Sequence, residues 1–406
     1  MVQRTYLVLL SLNTLAASFI WGVNTLFLLS AGLSNLQAFA ANAFFTAGQV
    51  LFEVPTGVIA DRWGRRTSYL LGSFTLMVTT LMYLGLWEVT APFWAWAVTS
   101  ALLGLGFTFF SGATEAWLVD ALQATKFTGT LDSVFAKGQV VTGAAMLIGS
   151  VAGGWIAQVT NLGVPYMVRA GILGINLVVA FALMHDLGFA PRRGKRIVSD
   201  IRGIFAESID QGLRNRPVRW IMLAAPFSAG VSVYAFYAMQ PYLLQLYGNP
   251  KAYGIAGLAA AIVAGAQIAG GLLAPRLRKL FRHRTSMLLA GVMLSAGSLI
   301  LTGLLPHFWI VIGILVLWGL IYAAALPVRQ AYLNGLIPSG ARATVLSFDS
   351  LLGSSGGVVV QPALGKAADV WSYAATYALA GVIQVLAVPF VLLARHEKAA
   401  SDLVKE

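Results

Sequence analysis

Apolar runs of about 20 residues, the length a helix needs to cross a bilayer, recur along the whole 406-residue chain. Twelve can be drawn, over roughly 5–31, 37–60, 67–87, 92–119, 137–159, 164–186, 217–247, 253–274, 284–305, 308–333, 343–368 and 373–394. Hydrophobic residues make up 58% of the chain and charged residues only 10%. A soluble protein of that balance would expose far too much apolar surface. The reading is therefore an all-α membrane protein with twelve transmembrane helices. The first run, from near Tyr6, is too long for a cleavable signal and continues as a helix. Zero cysteines exclude disulfides and thiol-ligated metal sites, and four scattered histidines offer no metal cluster.

The net charge of +12 is segregated into connections. Those after even-numbered segments carry Arg62, Arg65 and Arg66, then Lys126, then a long basic stretch, then Arg276 to Arg284, then Arg342. Those after odd-numbered segments are almost free of cations, and 23 of the 27 Lys and Arg fall on one side. Positive-inside topology explains this better than nucleic-acid binding, and it places both termini in the cytoplasm.

Between the second and third segments lies Gly57 to Arg66, reading GVIADRWGRR. Gly57, Asp61, Arg62, Gly64, Arg65 and Arg66 occupy the positions of G-x-x-x-D-R-x-G-R-R. The glycines allow a tight reversal and close backbone approach. The arginines anchor the loop inside. An anchor alone needs neither the acid nor the glycines. The stretch resembles the signature loop between the second and third helices of the major facilitator superfamily, the twelve-helix secondary transporters. The resemblance implies two six-helix pseudo-repeats with cargo bound between them at mid-membrane. It implies that Asp61 pairs with a neighbouring arginine and with the start of the eleventh helix. It also implies that an acid at the cytoplasmic end of the fourth helix, here Asp120, joins the cluster beside Arg65 or Arg66.

The chain carries its own repeat. GVIADRWGRRTSYLLG at 57–72 is echoed by GLLAPRLRKLFRHRTSMLLAG at 271–291, and GSVAGGWIA at 149–157 by VQPALGKAA at 360–368. The expected division is 1–186 and 217–395 as the two halves, 187–216 as a cytoplasmic linker, and 396–406 as a tail. Within the linker, Ser199 precedes DIRGIFAESIDQGL, whose Ile201, Ile204, Phe205, Ile209 and Leu213 share one helical face. That pattern predicts an amphipathic helix at the membrane surface.

Ionisable residues inside the segments are few, and each is a functional candidate because its placement there is costly. Glu53, near Pro55, and Glu115 are the candidate proton-coupling acids; a structural hydrogen bond is the competing role for Glu53. Arg329 is opposed to Glu115 across the pathway, or paired within its own half. Asp349 is placed with the loop cluster, and Arg169 is expected to snorkel to the outer headgroups. Gly149 and Gly153 in the fifth segment resemble the glycine-rich motif of drug and metabolite antiporters. Ser150 stands where that motif has a proline, and close helix packing is the simpler reading of the glycines.

Trp21, Asn24, Phe27, Tyr234, Tyr237, Gln240, Trp318 and Tyr322 are the candidate substrate contacts. A pocket of rings with few polar groups suits a lipophilic, cationic cargo. The leading reading is a proton-coupled exporter of small lipophilic molecules in the cytoplasmic membrane, monomeric and without cofactor or metal. An importer or facilitator of a small metabolite and a lipid or lysolipid translocator are the alternatives. A receptor or scaffold does not explain the intact loop motif. Enzymatic activity is not expected, since no nucleophile–base or metal constellation is present.

Overall fold

The protein is described from a computed structural model that covers residues 1–189, 212–338, 342–399 and 401–403. The amphipathic segment of the linker lies, but for its last residues, outside them. Among the described residues all regular structure is helical: α1 Val2–Trp21, α2 Asn24–Ser30, α3 Asn35–Trp63, α4 Arg65–Glu88, α5 Phe93–Thr108, α6 Ala113–Ala124, α7 Leu131–Val159 and α8 Val164–Leu183. There follow α9 Arg216–Tyr247, α10 Tyr253–Arg278, α11 Arg284–Leu304, α12 Phe308–Asn334, α13 Arg342–Val370, α14 Tyr373–Val385 and α15 Ala387–His396.

Each predicted segment is helical, but three are interrupted. The first is α1 and α2, bent by 50° at Gly22 and Val23. The fourth is α5 and α6, broken over Phe109–Gly112, where Gly112 takes φ +66°. The twelfth is α14 and α15. By length and composition ten helical spans are apolar enough to cross a membrane, or eleven with α1 and α2 taken as one. The remaining predicted segment is α13, which is 29 residues long. Helices suit lipid because they satisfy their backbone groups internally.

By contacts the chain divides into two compact units. One comprises Met1–Leu33, Phe44–Ile197 and Lys251–Ala261; the other Ser34–Ala43, Val198–Pro250 and Ile262–Glu406. The first turns of α3 thus belong with the second unit, and the first turns of α10 with the first unit.

In the first unit α1 lies against α7 because α7 presents no side chain at the crossing. A Cβ on Gly149 would run into the Ser18 hydroxyl, and one on Gly153 into the Phe19 carbonyl. The Ser18 hydroxyl uses that closeness to donate to the Ala145 carbonyl at 3.1 Å. Tyr6, Leu9, Tyr69, Leu76, Trp117 and Leu173 form the core below. Inside it the Tyr69 hydroxyl bonds to Asn176 Oδ1, and Asn176 Nδ2 donates to Ser73, each at 3.1 Å. The second unit has a comparable core around Ile221, Met222, Val328, Tyr332 and Leu333. Leu51, Ile148, Phe181, Leu272 and Val359 are exposed, leaving the apolar outside that a bilayer covers.

Candidate functional site

The signature stretch is almost entirely helical. α3 runs on through Trp63, α4 begins at Arg65, and Gly64 alone connects them with φ +103°. A Cβ there would meet the Asp186 carboxylate, so Gly64 is required twice over. Gly57 differs from the expectation: it lies in α3 with nothing within 4 Å of where a Cβ would be.

Asp61 Oδ1 lies 2.6 Å from Arg65 Nη1, one helical turn away. The Arg65 guanidinium also lies 5.9 Å over the Phe189 ring. Arg66 turns the other way. Its backbone N–H donates to Asp186 Oδ1 at 2.8 Å, and its Nη2 to the Phe181 carbonyl at 2.7 Å, with the guanidinium 4.9 Å over the Phe181 ring. Arg62 is exposed. The acid bonded to Arg66 is therefore Asp186, through the backbone N–H. Asp120 is half-buried, and its carbonyl backs onto Gly188. Trp117 Nε1 donates to the His185 carbonyl at 2.7 Å and so fixes the end of α8 that carries Asp186.

The second unit repeats the device. Asp402 Oδ1 accepts the Thr285 N–H and Oδ2 the Thr285 hydroxyl, each at 2.8 Å, at the start of α11. His283 Nδ1 lies 3.3 Å from Asp402 Oδ2, and the Arg284 side chain donates to the Ser401 carbonyl. Asp186 and Asp402 each follow the last helix of their repeat, and each satisfies N–H groups that a helix start leaves open. One signal for both was in the sequence: His185-Asp186-Leu187 and Ser401-Asp402-Leu403 stand at matching places.

Glu53 is half-buried in α3, and its Oε1 accepts the Ser111 hydroxyl at 2.5 Å. Ser111 lies in the break between α5 and α6, whose Phe109 carbonyl accepts the buried Ser68 hydroxyl at 2.7 Å. The carboxylate thus touches the one place where the fourth segment is not helical. Glu115 is exposed in the first turn of α6, where the helix dipole favours an acid.

Arg329 is paired within its own half, the second of the two roles open to it. Its Nη1 and Nη2 meet the two Asp349 oxygens at 2.6 Å each, and Nη2 also faces the Ile221 carbonyl at 3.3 Å. A two-point ion pair tying α12, α13 and α9 together satisfies both charges within the second unit. Arg169 does not snorkel. It is buried between helices, with Nε donating to Thr80 at 3.1 Å and the guanidinium 5.9 Å over Phe107.

The candidate substrate contacts separate by burial. Phe27 is fully enclosed, stacked 4.0 Å from Tyr166 and close to Tyr83, Trp87 and Trp96. Asn24 Oδ1 accepts the Tyr166 hydroxyl at 2.8 Å. Tyr234 is fully enclosed, bonded to Thr376 at 2.6 Å and tilted against Phe39. These three are packing residues here, and Gln240 is sealed as well. Trp318 is buried and stacks on Tyr322 at 6.0 Å. Trp21, Tyr237 and Tyr322 retain partial exposure.

The sequence model described as Major Facilitator Superfamily matches residues 6–282 and 254–406. The chain belongs to the major facilitator superfamily. It is a multi-pass membrane protein of the secondary-transporter type. It is 23% identical over 378 residues to an uncharacterized MFS-type transporter of Bacillus subtilis (strain 168), YxaM, covering 90% of this chain and 89% of that one. An uncharacterized MFS-type transporter of Methanocaldococcus jannaschii is 21% identical over 226 residues, 55% of this chain and 56% of that one. Among solved structures, the nucleoside transporter NupG superposes with a TM-score of 0.76 at 13% identity, covering 97% of this chain and 98% of that one. A bacterial homolog of the human lysosomal transporter Spinster gives 0.68 at 16% identity, covering 100% and 98%. At such identities the superpositions establish the major facilitator fold and nothing about cargo.

Proposed function

We propose that this major facilitator exports small lipophilic molecules across the cytoplasmic membrane in exchange for protons. The observation that carries this reading is Glu53. A carboxylate within a membrane helix is costly and is kept where it serves the pathway. This one is bonded by a hydroxyl at a helix break, which ties the candidate proton site to an irregular piece of backbone. Glu115, exposed in the same half, is the second acid. A lipophilic cation would compete with the proton for these carboxylates, giving exchange. Trp21, Tyr237 and Tyr322 are the rings still open to a cargo. The loop charges favour cytoplasmic termini and a cytoplasmic 187–216 linker, and the reading takes the two repeats to work as a monomer.

The test is uphill transport of ethidium, a lipophilic cation, in proteoliposomes with an imposed pH gradient. Glu53→Gln and Glu115→Gln should both insert normally. At least one should lose gradient-driven accumulation while keeping ethidium counterflow. If both still concentrate ethidium with unchanged dependence on the gradient, proton coupling lies elsewhere and a facilitator is the better reading.

A further inference from the structure

The two shared helices, α3 and α10, are each held at their first turn by a side chain from the end of a glycine-rich helix. On α3 the fit is complete. Asp369, at the end of α13, accepts the Asn35 N–H with Oδ1 and the Leu36 N–H with Oδ2, both at 2.9 Å. Ser34 Oγ accepts the Gln37 N–H at 3.3 Å, and Gln37 Oε1 accepts the Ser34 N–H at 3.1 Å, a reciprocal cap. The open donors of the first three helical residues are all satisfied, two of them by Asp369 alone. The Tyr373 hydroxyl adds a bond to Asn35 Oδ1. Gly365, one turn before Asp369, has no side chain because a Cβ would lie 2.8 Å from the Asn35 carbonyl.

On α10 the same construction is weaker. The repeat that sets 149–157 against 360–368 puts Gln158 opposite Asp369 and Gly154 opposite Gly365. Gln158 Oε1 accepts one N–H, that of Gly254, at 3.3 Å. Gly254, like Leu36, is the second residue of its helix. A Cβ on Gly154 would lie 2.7 Å from the Gly257 Cα, so backbone meets backbone as at Gly365. One clamp is therefore a carboxylate making two bonds, and the other a neutral amide making one. Bonds to an ionised acceptor are roughly twice as strong as neutral ones, and the start of a helix dipole favours a negative partner.

We infer that Asp369 is the positioning residue that governs opening on the side the loop charges assign to the outside, with Gln158 as its weak counterpart. This rests on the proposed function, read as transport by alternating access between the two repeats. α3 is split between the two units, so a cycle of that kind releases its first turns, Ser34–Ala43, from the second unit. Release exposes the Asn35 and Leu36 N–H groups together. The Asp369 clamp is thus the larger barrier to opening, and Gln158 the smaller.

The chain has no cysteine, so Ala38→Cys supplies a single thiol in this segment, at a position that is fully buried. Its rate of reaction with a membrane-impermeant maleimide in right-side-out vesicles reads the release directly and needs no cargo. Asp369→Asn should raise the rate about fivefold, as expected for losing an ionic cap. Asp369→Glu should bring it back to near the parent rate, which a merely bulky or structural effect would not do. Gln158→Ala should raise it less than Asp369→Asn. If Asp369→Asn fails to reach the membrane, Asn35→Pro removes one clamped N–H at a position where proline suits a helix start, and it should also raise the rate. Unchanged labelling in Asp369→Asn, or an equal rise in Gln158→Ala, overturns the inference. A failure of ethidium exchange would instead count against the proton and cargo assignments and leave this result standing.

Discussion

Asp186 and Asp120 compete for one role, and the structure separates them by a hydrogen bond. Asp186 holds the first turn of α4 through the Arg66 N–H, which makes it a helix cap supplied from 120 residues away along the chain. Asp120 is half-buried a few residues upstream of the α6 terminus. Asp186→Ala should therefore lower stability by about 1 kcal/mol, the usual cost of removing a cap. Asp120→Ala should stay within about 0.5 kcal/mol, as substitutions away from such contacts do. Thermal unfolding of the two purified variants checks the pair, and equal shifts would return Asp120 to the cluster. The arginines and Asp61 were legible because a local motif carries them. Their outside partner was not, because it is fixed by where α8 ends, and only the matching Asp-Leu pairs at 186–187 and 402–403 hint at it. For Arg329 the sequence left two partners open, Glu115 or an acid of its own half. The structure shows the second, since a charge in a low-dielectric interior takes the acid its own neighbours offer, here Asp349.

Among the helices, glycine means opposite things at positions that look alike in the sequence. At Gly153 a Cβ would run into the Phe19 carbonyl, so Gly153→Ala must push α7 away from α1. Overpacking of that kind costs about 1–3 kcal/mol. At Gly57 the space is open and the residue lies inside α3, so Gly57→Ala is neutral or stabilising by up to about 1 kcal/mol, the helix preference of alanine over glycine. Denaturation midpoints of the two alanine variants in the same detergent should move in opposite directions or differ by more than the smaller effect. A fall of equal size in both would mean that Gly57 has a contact the fold does not reveal. The interruptions were the other illegible feature at this scale. Hydropathy sees the fourth segment as one run, since the break at Phe109–Gly112 is as apolar as its flanks. Only the left-handed Gly112 and the exposed Ser111 distinguish it, and that is where Glu53 makes its bond.

For the whole molecule the question is whether α13 crosses the bilayer, because it fails the test of composition that ten other helical spans pass. Its 29 residues would span about 43 Å, more than a hydrocarbon core requires. The two most polar residues in its middle are enclosed. Asp349 is buried and neutralised by Arg329, and Gln361 is fully enclosed with its Nε2 on the Gly357 carbonyl. Lys366 and Asp369 lie in its last turns, within reach of headgroups and water. Averaged hydropathy penalises polar groups without knowing which way they face, whereas the bilayer senses only those that meet it. We therefore expect α13 to cross, with Pro338 before it and Trp371 after it on opposite sides. Both positions are exposed outside the helices, and the cysteine-free chain makes either one a unique thiol after substitution. In right-side-out vesicles an impermeant maleimide should label Trp371→Cys and spare Pro338→Cys until the membrane is opened with detergent. Everted vesicles should give the reverse. Labelling of both from one face would mean that α13 does not cross, and the twelve-span topology, with both termini on one side, would fall with it.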